Sequence, residues 1–209
     1  MPEPISAPVP RGRPKDPAKR RAILEAAKGL FLTQGFAGTS MDAVASAAGV
    51  SKLTVYSHFS DKETLFTAAI EAKCENQMPL PIFALENGDS IEQVLTRIGT
   101  AFLSLVEGED AISLMRILCA ESCREMAQLY LEAGPRRTLS EMESLLRRAV
   151  ALKLLRVENP AAAADQFFGM LMGCRHMQVL VDSCAPPSEC EIRERVDEVV
   201  QVFLRAYGP

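Results

Sequence analysis

Long hydrophobic runs are missing from this chain. The longest unbroken stretch of apolar or glycine residues, Phe167 to Cys174, has eight members, whereas a helix that crosses a bilayer needs about 20. No membrane partner is expected. The opening stretch MPEPISAPVPRGRPK has no apolar segment ahead of its basic residues. It therefore does not read as a secretory signal, and a cytoplasmic protein is expected. No CxxC pair occurs among the six cysteines, which argues against a zinc ribbon or a thioredoxin-like motif. In the cytoplasm these thiols are expected to be reduced. Alternation of β-branched and polar residues is nearly absent, so strands are not expected, and no internal repeat appears. Catalytic signatures are missing too: there is no nucleophile elbow, phosphate loop, metal-ligand cluster or pair of carboxylates with a partner histidine. An enzyme, a bound metal and a cofactor are therefore not expected.

What remains is ordinary globular composition, 48% hydrophobic and 24% charged in 209 residues, enough to bury a sizeable core. The net charge of −4 hides an asymmetry. Residues 1–62 carry nine Lys or Arg against five Asp or Glu, and residues 63–209 carry fourteen against 22. Arg11, Arg13, Lys15, Lys19, Arg20 and Arg21 fall within eleven residues. A basic start on an acidic body suits a polyanion-binding head, although a solvated basic tail would look the same on charge alone.

Ala, Leu, Glu, Arg and Met dominate, and all are good helix formers. Residues 1–15 hold five prolines and no periodicity, so they are expected to form a disordered basic arm. Asp16 and Pro17 suit the N-cap and first position of a helix ending at Gly35. Thr39 or Ser40 opens a short helix, with Asp42 three residues after Thr39. Ser51 opens a third, from Lys52 to Phe59, and Ser60 with Glu63 a fourth, to about Glu75. After a loop from Pro79 to Gly88, Ser90 caps a helix that carries Phe102. Further helices are expected from Asp110 unbroken past Cys123, over Arg136 to Leu152, and from Asn159-Pro160 to about Val181. A capping box at Ser188 and Glu191 opens the last one. The expected fold is all-α, with a three-helix head over 16–62 and a larger helical body over 63–209.

The turn Ala47-Ala48-Gly49-Val50 joins two short helices with the small residues that a helix-turn-helix requires. The second of these can enter the major groove while the first crosses the backbone. In SKLTVYSHFSDK, Val55 and Phe59 are four apart and can face inward. Lys52, Thr54, Tyr56 and His58 then lie on other faces. Lys62 sits in the first turn of the next helix, where a cation opposes the helix dipole. A phosphate would reward it there.

With these residues in view, RRAILEAAKGLFLTQGFAGTSMDAVASAAGVSKLTVYSHFSDKETLF resembles the DNA-binding domain of the TetR family of bacterial transcriptional regulators. The resemblance rests on AILEAAKGLFLTQGF, on the turn AAGVSK, and on Tyr56-Ser57-His58-Phe59 followed by Lys62 and Leu65-Phe66. Leu53 departs from it, since the family usually has a small or polar residue there. The resemblance implies a homodimer on a palindromic operator of double-stranded DNA. It further implies a repressor released by a small-molecule effector of unknown identity. By position, Thr39, Ser40, Tyr56 and Lys62 would lie near phosphate, and Lys52, Leu53, Thr54 and His58 would face the groove. Arg11 and Arg13 would reach the adjacent minor groove, as basic arms do. Further on, AESCREMAQLYLEAGP and NPAAAADQFFGMLMG resemble the C-terminal half of AefR-like regulators, a subgroup linked to efflux control.

In the body, soft side chains suit an apolar pocket. Phe102, Met115, Phe167 and Met170 are its candidate lining. His176 is added to them, although it reads first as a satisfied helix histidine. Cys119 and Cys123, four apart on one expected helix, do not complete a metal site. The last helix carries an apolar stripe from Ile192 to Tyr207, and its predecessor is apolar on several faces. Phe168, Met172, Val196, Val199, Val200 and Phe203 are therefore the candidate dimer interface. A second reading makes the body a platform that recruits another protein and senses no small molecule.

Overall fold

The structure, a computed structural model, describes residues 16–86 and 88–209. The expected arm, with Arg11 and Arg13, lies outside the described residues. Asp16 starts α1 (Pro17–Gly38) by accepting the Ala18 N–H at 3.0 Å, with Pro17 filling a position that needs no hydrogen bond. At Gly35 the helix breaks, with φ at 71°, and a last turn follows to Gly38. Glycine is required there twice over. The backbone is left-handed, and a Cβ would stand 2.1 Å from Glu121 Oε1. Ser40 opens α2 (Met41–Ala47) and Ser51 opens α3 (Lys52–His58), each accepting the N–H three residues on at 3.1 Å.

Next comes α4 (Lys62–Gln77). Its cap is Asp61 rather than Ser60: the Asp61 carboxylate accepts the Thr64 N–H at 2.7 Å, and the Ser60 hydroxyl donates to Asp61. These bonds hold the Asp61 carboxyl below its ordinary range, the Thr64 hydroxyl being the largest cause. A 3-10 turn (Leu80–Phe83) leads to α5 (Ile91–Val106), which has a full Ser90–Gln93 capping box. The helix expected to run past Cys123 is two helices, α6 (Glu109–Glu121) and α7 (Arg124–Ala133), because Ser122 adopts a left-handed conformation at φ 48°. Cys119 and Cys123 therefore do not share a helix face.

The chain closes with α8 (Pro135–Ala151), α9 (Pro160–Leu180) and α10 (Glu189–Tyr207). α9 bends at Gly173, where the Arg195 guanidinium of α10 donates to the carbonyls of Met170 and Leu171. Among the described residues there is no strand, and no helix is long and apolar enough to cross a membrane. The fold is all-α.

Two apolar clusters hold these helices. The first joins Ile23, Phe31, Val44, Val55 and Phe59 to Leu65 and Phe66 of α4, and extends to Leu118 and Met126 of α6 and α7. Packing thus continues through α4, past the expected boundary at 62/63, into the body. The second cluster lies between α5, α8, α9 and α10, around Leu95, Ile98, Leu145, Phe167 and Phe203.

Here the expected dimer interface is corrected. Val196, Val199, Val200 and Phe203 are all buried within the single chain, and Phe203 stacks edge-on against Phe167 at 5.2 Å. The stripe on α10 is apolar because it covers α5 and α9, a burial worth about 1.5–3 kcal/mol per large side chain. The apolar side chains that the chain leaves exposed on these two helices are Val202 at 47% on α10, with Met177 at 61% and Val181 at 65% at the end of α9.

Candidate nucleic-acid interface and ligand cavity

The short third helix is held from behind. Val55 and Phe59 are buried, Ala45 lets α2 approach, and Gly49 turns the chain at φ +65°. The Val50 N–H then closes on the Ala45 carbonyl at 3.0 Å. Lys52, Leu53 and Tyr56 are left on the outer face, with Leu53 80% exposed. Thr54 and His58 are half-buried beside them. An aliphatic side chain so exposed on a helix presented for a groove can meet a thymine methyl.

The internal partners of the candidate side chains were not evident from spacing. The Lys52 ammonium pairs with Asp42 of α2 at 2.7 Å, and this hydrogen bond raises its proton affinity. Thr54 shares a hydrogen bond with the Ser51 hydroxyl at 2.8 Å. Thr39 is buried, and its hydroxyl donates to the Gly35 carbonyl at 2.7 Å, so its side chain braces α1. Ser40 is exposed but its hydroxyl oxygen caps α2. Lys62 is half-buried, donates to the Phe36 carbonyl at 2.7 Å and stands 4.4 Å from the centre of the Phe36 ring. The compensation expected from phosphate is thus already supplied by the chain.

Behind the head lies a cavity of about 380 Å³, walled almost entirely by apolar carbon, within the size range of small-molecule sites. Its walls come from α1 and α4 as well as from the body, including Phe31, Phe66, Leu114 and Tyr130. Phe102, Met115 and His176 line it. Phe167 does not, since it is fully buried on the other side of α9 against Phe203. Met170 packs on the body core and is also outside the lining. Phe168 and Met172, expected at a dimer interface, are instead in the cavity wall, with Phe168 4.5 Å from Phe102.

Polar side chains interrupt this wall, and two of the groups are paired. Lys28 of α1 and Lys73 of α4 both reach Oδ2 of Asp110 on α6, at 2.7 and 3.2 Å. The Lys28 bond is the largest influence holding the Asp110 carboxyl below its ordinary range, and the same bond raises Lys28. The second group is His176, whose Nδ1 lies 3.0 Å from Oε1 of Glu107. Nearby, burial pushes up both the Cys74 thiol and the Tyr130 phenol. All six cysteines are free thiols, and no group of three metal-ligand side chains occurs among the described residues.

A helix-turn-helix presented by a helical body defines a DNA-binding regulator, and comparison with known proteins gives the family. Residues 23–69 match the model described as bacterial regulatory proteins, tetR family. Residues 93–209 match the AefR-like transcriptional repressor, C-terminal domain. The chain belongs to the TetR family, whose members are transcriptional regulators and not enzymes. The HTH-type regulator YdeS of Bacillus subtilis (strain 168) is 28% identical over 120 residues, 57% of this chain and 59% of YdeS, so the chain spans about three fifths of that relative. Among solved structures, the flavonoid-responsive regulator FrrA is 34% identical with a TM-score of 0.72, covering 91% of this chain and 97% of FrrA. SmeT, the repressor of the Stenotrophomonas maltophilia multidrug efflux pump SmeDEF, is 25% identical with a TM-score of 0.64, covering 91% and 90%. SmeT has also been solved as a complex with triclosan.

Proposed function

We propose that this regulator is a ligand-responsive repressor that binds a palindromic operator as a homodimer and is released by a small apolar effector. The observation that carries this reading is the cavity. Its wall includes α1 and α4, which also pack the helix-turn-helix, together with body helices α5 to α9. A molecule that fills it touches the head and the body at once. Release requires the effector to bind the released state more tightly; about 100-fold tighter corresponds to about 2.7 kcal/mol per site. Lys52, Leu53, Thr54, Tyr56 and His58 are the proposed DNA contacts, with Ser40 and Lys62 at the flanks. Arg11 and Arg13 are proposed to extend the contact into the minor groove. FrrA is flavonoid-responsive and SmeT represses an efflux pump, which supports an aromatic effector and efflux as the regulated process.

The homodimer is proposed to form through the exposed outer faces of α9 and α10. Met177 and Val181 at the end of α9 and Val202 on α10 fit this, being apolar side chains that the single chain leaves exposed. The test is fluorescence anisotropy on a selected operator duplex, titrated with apolar aromatic compounds. Loss of DNA affinity at saturating compound supports the reading. Compounds that bind the protein and leave DNA affinity unchanged would contradict it.

A further inference from the structure

Glu107 is the feature of the body that packing does not explain. It closes α5, its side chain is 4% exposed, and Oε1 holds His176 Nδ1 at 3.0 Å. Its other oxygen, Oε2, is buried with no hydrogen-bond partner. A buried carboxylate with one bond is costly, and an apolar residue would close the end of α5 without that cost. The arrangement instead fixes a ring. With Glu107 as a carboxylate, which only accepts, Nδ1 is the donor in this bond. His176 lines the cavity, and the described residues give its Nε2 no hydrogen-bond partner. In a wall that is mostly apolar, this ring is a polar group held in place by Glu107.

We propose that the cavity takes an aromatic ligand bearing a phenolic hydroxyl, bound to His176 Nε2, with Glu107 positioning the ring. This rests on the reading of the cavity as an effector site. Three considerations select the phenol. A hydroxyl serves both states of the ring: it donates to a neutral Nε2, and as phenolate it accepts from a protonated one. An ammonium ligand meets only the neutral ring. A carboxylate meets only the charged one, and it places a second anion one imidazole away from the buried Glu107. The aromatic body is selected by Phe102 and Phe168, 4.5 Å apart in the wall, and by the thioethers of Met115 and Met172.

The experiment is calorimetric titration of the full chain with 2-naphthol, 2-methoxynaphthalene and 2-naphthoate. On the wild type, 2-naphthol is expected to bind about tenfold more tightly than its methyl ether, the equivalent of one well-made hydrogen bond. That gap should vanish in His176→Leu and shrink in Glu107→Gln, while the methyl ether binds all three proteins alike. The methyl-ether result also shows that each variant keeps its cavity. Equal affinity for naphthol and its ether, or tighter binding of naphthoate, overturns the phenol assignment and leaves the effector cavity standing. A gap that persists in His176→Leu overturns the role of His176. Failure of naphthol and its ether alike to bind overturns both readings.

Discussion

Lys52 and Lys62 are both cations at the proposed DNA face, yet each already has a partner in its own chain. Lys52 is fully on the surface and its pair with Asp42 is worth little in water. DNA can therefore take it over. Asp42 then acts as a competitor for the side chain that phosphate or a base would use. Replacing it tests this directly: Asp42→Asn should tighten DNA binding and steepen the salt dependence, by about 0.9 in log–log slope for each Lys52 released. Anisotropy titrations across a salt series would read the slope, and an unchanged slope would show that Lys52 makes no phosphate contact. Leu53 makes the opposite case, since it is 80% exposed and has no packing role to lose. Leu53→Ala should shift thermal stability by no more than about 0.5 kcal/mol. It should weaken discrimination at one operator position by about 1 kcal/mol if that position is a thymine methyl contact. Competition with singly substituted duplexes measures that loss, and a uniform effect at every position would rule the contact out.

At the scale of elements, helix starts were legible and helix partners were not. The caps at Asp16, Ser51, Ser90, Asn159 and Ser188 depend on residues two or three apart, and each forms as its sequence predicts. The break at Ser122 gave no signal, because serine is neither glycine nor proline and its left-handed backbone is a consequence of packing. The stripe on α10 was read correctly as buried and wrongly as facing a second copy, since periodicity reports a covered face and says nothing of what covers it. Neighbouring residues settle this. Phe203→Glu puts a carboxylate in the protomer core and should cost at least about 3–5 kcal/mol, enough to unfold the chain. Val202→Glu, one position earlier, should keep the helical circular dichroism and melting transition while sedimentation shows monomers. If Val202→Glu remains dimeric, the proposed outer face of α9 and α10 is not the interface.

Asp110 belongs to the same scale, because it ties α1 and α4 to α6. Its folded-state carboxyl lies below the ordinary value of 3.8 through its bond to Lys28. A depressed carboxylate stabilises the fold fully above its unfolded value, and that contribution is lost as pH falls through the folded one. Wild type should therefore melt above Asp110→Asn at pH 7 by a constant margin down to about pH 5. The margin should close below the ordinary aspartate value. Melting curves at a series of pH values check this, and a margin that widens on acidification would contradict the assignment.

At the scale of the molecule, the first apolar cluster explains how a body can control a head. It includes Val44 and Val55 of the helix-turn-helix, passes through Leu65 and Phe66 of α4, and reaches Leu118 and Met126. Phe31 and Phe66 face both this cluster and the cavity. The Lys28–Asp110 pair across this junction joins residues 82 positions apart, and the Glu107–His176 pair within the body joins residues 69 apart. No local pattern announces contacts of that separation. The head motif was legible because its chemistry is contained in about 20 consecutive residues.

The central claim, that two such heads read one symmetric DNA site, is tested most directly by selecting bound duplexes from a randomised pool with the full chain at moderate salt and sequencing them. The account predicts enrichment of an inverted repeat whose half-sites present successive major grooves, about 34 Å apart. It also predicts loss of that enrichment when Val202→Glu replaces the wild type. Enrichment of a single asymmetric half-site, or the same inverted repeat recovered by a monomeric variant, would contradict it.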